Sequence, residues 1–302
     1  MSMKKSSLQL LYEAILQTDP RPASLVSPLP SIPATPGLEG LAALSGLLSP
    51  QTTAGHGVVR LVDRISKPPV GGLKQDLETT VRKIFREVWS ERDGEIVPGP
   101  EDLKLGNDAV VLNAAVLYAD MSGSTKLVDA YEPQFAAEIY KTYLACAAPI
   151  IKDQGGVITA YDGDRIMGVF IGSRKNTNAV RAALRINGAV WDIIKPALKA
   201  QYPNTNYNPK HVIGVDTSKL NVCRIGVRND NDLVWVGRAA NYAAKLSSLS
   251  DEFHIYITHS VYDSMHDDVK YGGVNKEHMW EARVWTAMGN FQLYASTWKF
   301  GV

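Results

Sequence analysis

The chain reads as an α+β protein in which a mixed sheet carries helices on one face. Three observations predict this. Short apolar runs of strand type alternate with longer segments of helical periodicity, two strand pairs are joined by turn-forming Asp, Gly and Asn residues, and the helices fall between strands instead of in a block of their own. With 302 residues, 45% hydrophobic and 21% charged, the chain can bury a large core.

Residues Leu8 to Gln17 suggest a short amphipathic helix. Lys4 and Lys5 ahead of it give only a superficial likeness to a signal sequence, because Glu13 interrupts the apolar run. From Asp19 to Pro50 the proline density excludes regular helix or strand and predicts a wrapped or poorly ordered arm. Residues 1–72 are therefore set apart as an extension, 73–112 as a helix and linker, and 113–302 as the body. Leu73, Leu77, Val81, Ile84, Phe85, Val88 and Trp89 recur at helical spacing, predicting a helix from Leu73 to about Glu91 whose apolar face packs on its own domain or on a second copy.

The body opens with an apolar strand ending at Asp120. Pro133 suits the first turn of a helix to about Lys152, stopped by Gly155 and Gly156. Val157 to Ile171 then reads as a hairpin through Asp162-Gly163, a pair that favours a type I′ turn. A helix from about Asn176 to Ala200 precedes strands at Val212–Asp216, Val222–Val227 and Leu233–Val236, the last two forming a second hairpin. Helix Ala239–Leu249, strand His254–Thr258, a short helix Val261–Met265 and strands Met279–Thr286 and Phe291–Thr297 complete the chain.

Charge excludes several functions. Thirty-two basic residues against 31 acidic give a net charge of +1, so no global field draws in nucleic acid or an acidic membrane. No apolar run approaches the ~20 residues of a membrane helix. Cys146 and Cys223 lack disulfide or zinc spacing, which fits a reducing cytoplasm. The group His259, His266, Asp267 and Asp268 reads as a solvated helix end.

The chemistry concentrates in AAVLYADMSGST, Ala114 to Thr125. The strand delivers Asp120 to a sheet edge, and the small residues Ser122, Gly123, Ser124 and Thr125 form a turn whose backbone N–H groups can cradle phosphate. Asp164, at the hairpin tip, follows 44 positions after Asp120. Two converging carboxylates repel, and a divalent cation resolves that repulsion.

With Tyr-Ala-Asp-Met-Ser-Gly-Ser-Thr, then Tyr-Asp-Gly-Asp, then Val-Gly-Arg-Ala-Ala-Asn-Tyr-Ala-Ala-Lys-Leu in that order, the segment from Asn113 to Thr297 resembles the catalytic domain of class III nucleotide cyclases. The resemblance implies a ferredoxin-like βαββαβ core in a head-to-tail homodimer. It also implies two Mn²⁺ or Mg²⁺ ions per site held by Asp120, Asp164 and the backbone of Met121, and a triphosphate on the Ser-Gly-Ser-Thr turn. Asn241 and Lys245 match the family's ribose- and phosphate-contacting Asn and Arg, and they would come from the other subunit. Lysine keeps the charge of arginine but loses its planar fork. Arg283 matches loosely a cation on the triphosphate.

Where adenylyl cyclases carry a base-reading Lys, this chain has Ala160 and Tyr161, and where they carry an Asp it has Val234. A tyrosine there would narrow the pocket and favour a smaller base. In this, and in its long N-terminal extension, the chain resembles the Pycsar pyrimidine cyclases of bacterial anti-phage defence. That resemblance implies UTP or CTP as substrate, UTP preferred, 3′,5′-cyclic UMP or CMP as product, and a cyclic-nucleotide-responsive effector downstream. The alternatives are a purine cyclase with an unusual pocket and an inactive interaction module that keeps the fold.

Overall fold

A computed structural model of the protein describes residues 72–227 and 229–302. The expected helix Leu8–Gln17 and the proline-rich segment from Asp19 to Pro50 lie outside them. The chain divides between Phe85 and Arg86 into two compact units, and the sheet belongs to the unit that runs on to Val302.

Helix α1 spans Leu73–Arg86, and its Leu73, Leu77, Val81 and Ile84 are exposed. It stops short of the expected Glu91. Ser90–Asp93 instead forms strand β1, parallel to Asp108–Val111. Tertiary pairing overrides helical periodicity here: the Asn107 side-chain amide donates to Glu87 O, and the Ser90 N–H donates to Asn107 O. The sheet thus begins ahead of the boundary at 113 that the sequence suggests.

The core of the body is β2 (Asp108–Met121), α2 (Ser124–Ala130), α3 (Pro133–Asp153), β3 (Val157–Asp162), β4 (Arg165–Phe170), α4 (Lys175–Ala189) and β5 (His211–Val227). Through a π turn at Val190–Ile194, α4 passes into α5 (Lys195–Gln201). Then follow β6 (Asp230–Val236), α6 (Arg238–Leu246), β7 (Ile255–Thr258), α7 (His259–Ser264), a two-stranded ribbon β8 and β9 (Tyr271–Gly272, Glu277–His278), β10 (Glu281–Trp285) and β11 (Phe291–Ser296). The main sheet runs β10-β11-β7-β5-β2-β4-β3, with β1 beside β2 and β6 beside β5. Within it β5-β2-β4-β3 pair antiparallel throughout, the ferredoxin-like order.

Sequence reasoning splits β5 in two because Thr217, Ser218 and Lys219 interrupt its apolar run. The structure keeps it whole, since β5 pairs with β2 from Ala109↔Cys223 to Met121↔His211, and the Thr217 hydroxyl donates to Ala114 O. The hairpin turn also differs. Its central residues are Gly163 and Asp164, and only Gly163 has positive φ, which is the type II′ pattern and not I′.

Alternation along β2 divides the molecule into two cores. Ala115, Leu117, Ala119 and Met121 face α3 and α4, packing with Ile139, Tyr143, Ile150 and Leu184. Leu112, Val116 and Tyr118 face the other way, toward Leu220, Val222, Trp235 and the alanines 239 and 243 of α6. To the helices on one face the structure therefore adds α6 on the other.

Gly214 makes that second packing possible. A Cβ there would sit 2.2 Å from Ala243 O and 2.6 Å from Leu246 Cβ. Gly214→Ala is expected to lift α6 from β5 and to destabilise the protein by about 1–3 kcal/mol, the usual cost of overpacking. Urea unfolding followed by circular dichroism measures this, and an unchanged midpoint would mean that the α6 contact yields freely.

Candidate active site

Asp120 lies on the α6-side face of β2, in line with Val116 and Tyr118. The register Ala119↔Ile166, continued one step, sets it opposite Arg165 at the base of the β3–β4 hairpin, next to the tip residue Asp164. Burial pushes the Asp120 carboxyl up to about 7, and the neighbouring Asp164 carboxylate adds to that, while Arg165 opposes it. Asp164 is likewise raised, first by burial, and is pulled back by a hydrogen bond from the Ser124 hydroxyl. One Asp164 oxygen, Oδ2, is buried without a hydrogen-bond partner among the described residues. The two acids expected to converge are thus electrostatic neighbours.

Arg165 and Tyr118 were not singled out by sequence reasoning. Arg165 is buried, donates from Nη2 to Asp162 Oδ2 at 2.8 Å and lies 5.4 Å from the centre of the Tyr118 ring. Burial pushes the Tyr118 hydroxyl up to about 12. The signal was available: a charged residue directly after the tip acid, opposed across the strand pair by another acid. From the helix side, Tyr143 and Tyr207 bring buried hydroxyls with no partner among the described residues, and both feel the charge of Asp164.

These donors fit a divalent cation. Two carboxylates, one with an orphaned oxygen, offer hard oxygen ligands where burial raises the proton affinity of both. Among the described residues no three His, Cys, Asp or Glu side chains gather as a metal cluster. A hard divalent cation can bind through one or two carboxylates completed by substrate phosphates.

The Ser122–Thr125 turn is only partly available. Ser122 donates its N–H to Lys210 O and its hydroxyl to Asp251 Oδ2, so it anchors the turn instead of facing a ligand. Gly123 adopts the left-handed conformation with open space around its Cα. The first intrahelical bond of α2 runs from Leu127 N to Gly123 O, which leaves the amides of Ser124 and Thr125 without an intrahelical acceptor.

Tyr161 is corrected. It pairs with Ile166, which belongs to the α3/α4-side core, so it lies on the face away from Asp120, and it is the neighbouring Ala160, opposite Met167, that shares the Asp120 face. Alternation decides this. Val234 is half-buried opposite Cys223, on the face of β6 away from Leu233 and Trp235. Asn241 is exposed on α6, and Lys245 places its ammonium 3.7 Å from Met288 Sδ, toward the β10–β11 turn. Arg283, on β10 at the far edge of the sheet from the hairpin, pairs with Glu281 at 3.0 Å and sits 4.6 Å from the Phe253 ring centre. In a single chain these residues do not join the Asp120 group. Among the described residues no helix is long and apolar enough to cross a membrane.

No protein-family model matches the chain. It is 49% identical over 232 residues to a uridylate cyclase of Xanthomonas perforans, covering 76% of this chain and 99% of that protein. A uridylate cyclase of Burkholderia cepacia is 51% identical over 232 residues, with the same coverage of 76% and 99%. Among solved structures, the adenylyl cyclase CyaB of P. aeruginosa matches with a TM-score of 0.52 at 20% identity, over 62% of this chain and 95% of that one. The guanylyl cyclase Cya2 matches with a TM-score of 0.53 at 17% identity, over 63% and 94%. These structures establish the class III cyclase fold.

The raised Asp120 carboxyl has a consequence for stability. An acid that is harder to ionise in the folded chain favours folding fully below its ordinary 3.8, and that contribution is lost as pH rises through about 7, a loss on the order of 4 kcal/mol. His211 works the other way, since burial lowers it from 6.5 to about 3 and its contribution is lost as pH falls below its ordinary value. The comparison must therefore be with Asp120→Asn. In EDTA, the variant should match the wild type near about pH 4 and become progressively more stable toward about pH 8. Urea titrations that show a gap independent of pH would contradict the buried, ionisation-resistant carboxyl.

Proposed function

The chain belongs to the uridylate cyclase family, and on that premise we propose that it converts UTP to 3′,5′-cyclic UMP and pyrophosphate. What supports the proposal is that Asp120, at the end of β2, and Asp164, at the hairpin tip, are electrostatic neighbours in a class III cyclase fold. Asp120, Asp164 and the backbone carbonyl of Met121 would hold two Mn²⁺ or Mg²⁺ ions. Bound there, the ions would supply activation of the ribose 3′-hydroxyl and neutralisation of charge on the triphosphate.

The chain's own residues do the rest. The free amides at the start of α2, with Gly123, receive phosphate oxygens. Ser124 holds Asp164 in place through its hydroxyl. Asn241 orients the ribose, and Lys245 neutralises charge that develops on the α-phosphorus during in-line attack. Since Asn241 and Lys245 stand apart from the two acids in one chain, a head-to-tail homodimer completes each site with α6 of a second copy. The exposed apolar face of α1 supports that pairing. Arg283 joins from the same second copy as a further cation for the triphosphate.

The two uridylate cyclases, 49% and 51% identical to this chain, support UTP over CTP. Small Ala160 shares the Asp120 face where a purine-reading lysine would stand, while Tyr118 and Arg165 fill the face beside Asp120 and favour a one-ring base. The product would act as a second messenger in cytoplasmic anti-phage defence, read by a cyclic-nucleotide-responsive effector.

The test incubates the purified protein with each of the four ribonucleoside triphosphates and Mn²⁺ and identifies products by mass. Cyclic UMP is the expected main product. Cyclic AMP or GMP as main product would overturn the pyrimidine assignment, and no turnover of any of the four would favour an inactive module. Asp120→Ala and Asp164→Ala are each expected to lower kcat by at least about 100-fold, because each removes several kcal/mol of metal-borne stabilisation.

A further inference from the structure

Two charges are spent at a place the chemistry does not reach. Asp216, in the middle of β5, is completely buried. Its Oδ1 accepts from the Thr258 hydroxyl at 2.5 Å, and its two oxygens receive Arg238 Nε at 3.1 Å and Nη2 at 3.3 Å. Arg238 is the first residue of α6. Its Nη2 also donates to Thr217 O at 2.8 Å and to the Ser260 hydroxyl at 3.2 Å, and the guanidinium lies 5.7 Å from the Tyr242 ring centre. One position on, the Ala239 N–H donates to the Ser218 hydroxyl at 2.9 Å. The first turn of α6 is thereby fixed to β5, to the end of β7 and to α7.

An ion pair whose carboxylate is fully buried while its arginine stays partly exposed adds little stability over an apolar pair of similar volume, because desolvation of the carboxylate offsets the attraction. What it fixes is direction. A guanidinium that donates to a bidentate carboxylate, a carbonyl and a hydroxyl has a single orientation, which a lysine could not reproduce. Ridges of alanine at 239, 240 and 243 are smooth and would let a short helix slide or roll on the sheet; the clamp at its first residue removes that freedom. Asn241 and Lys245, on the outward side of the same helix, follow whatever azimuth Arg238 sets.

We infer that Arg238, held by Asp216, is a positioning residue that sets the rotation of α6 and so aims Asn241 and Lys245 at the reacting nucleotide of a second copy. The inference rests on the roles assigned to Asn241 and Lys245 under the proposed function. It concerns a part of the molecule remote from the metal-binding acids, which makes the two separable by experiment.

The experiment uses the full chain with UTP and Mn²⁺, comparing Arg238→Met, the paired Asp216→Asn/Arg238→Met and Arg238→Lys, each also on an Asn241→Ala background. The paired variant avoids leaving a buried carboxylate alone, should Arg238→Met fail to fold. Misplacement of reacting groups predicts that kcat falls roughly 10- to 100-fold in the Met variants, with KM for UTP within about 3-fold of the wild type. Arg238→Lys should recover only part of the loss. Direct Mn²⁺ binding, read from the electron paramagnetic resonance signal of the free ion, should be unchanged. On the Asn241→Ala background, removing Arg238 should cost clearly less than it costs the wild type, because one of the two groups it aims is already gone. An unchanged kcat in both Met variants, a loss repeated in full on the Asn241→Ala background, or a parallel fall in Mn²⁺ affinity would overturn the inference while leaving the cyclase reading intact. A wild-type protein that makes no cyclic nucleotide removes that reading and this inference with it.

Discussion

Everything in this molecule hangs on the register of β2. Its pairing with β4 at Ala119↔Ile166 and with β5 at Ala119↔Ile213 decides which side of the sheet each side chain occupies. A slip of one residue would send Asp120 into the core beneath α3 and bring Ala119 and Leu117 to the other face. The register is held because both faces are filled. Leu117 and Met121 cannot leave the α3/α4 core, nor Val116 and Tyr118 the α6 core, without exposing large apolar surfaces. The position of one carboxylate is thus specified by hydrophobic burial on both sides of it, before any ligand or partner is considered.

Given that position, electrostatics explains the character of the site. Asp120, Asp162 and Asp164 are three acids at one sheet end, and Arg165 is the cation nearest to them. Arg165 is already engaged by Asp162, so the two remaining carboxylates share an excess of negative charge in a half-buried place. Their raised affinity for protons is the expected response. A divalent cation would satisfy the same excess without protonation, which is why a site of this charge pattern favours metal and phosphate chemistry over general acid–base work by the acids themselves.

Much of this was legible in the sequence, for physical reasons that differ by element. The βαββαβ order, the hairpin at Gly163 and the strand-end position of Asp120 could be read because each rests on local pattern: an apolar run, a turn residue, an acid at a strand end. What failed was long-range. Helix α1 ends early because Asn107, twenty positions away, takes up the carbonyl of Glu87. Strand β5 continues through polar residues because β2 pairs with it along its whole length. Tyr161 was placed beside the base by counting from a motif, but a strand position also needs its face. The bulge between Ile158 and Ala160 shifts the pairing there, and the observed register sets Ala160 on the Asp120 side and Tyr161 on the other. Arg165 and Tyr118 escaped notice because a motif draws attention to its acids, and the residues that compensate them look incidental.

The separation of the acids from α6 is the remaining step. A sheet has two faces and two ends, and the long strands β2 and β5 use each for a different purpose. The Asp120 end of β2 pairs with β4, and the opposite half of β5 pairs with β6, whose last residue leads directly into α6. From Arg238, level with Asp216, α6 runs back along β5 until its last turn packs against Gly214. Asn241 is exposed on the outer side of α6 and the Lys245 ammonium turns toward Met288, so within one chain neither meets the Asp120 carboxyl. If the two halves act on one nucleotide, symmetry must bring them together, and a twofold axis that apposes the α6-side faces does so twice, giving two sites from two identical chains. Such an arrangement makes each half useless alone and ties activity to assembly. It also explains why a chain would hold a fully buried aspartate and an arginine at the start of α6, where they contribute direction to a helix whose working surface faces away from its own core.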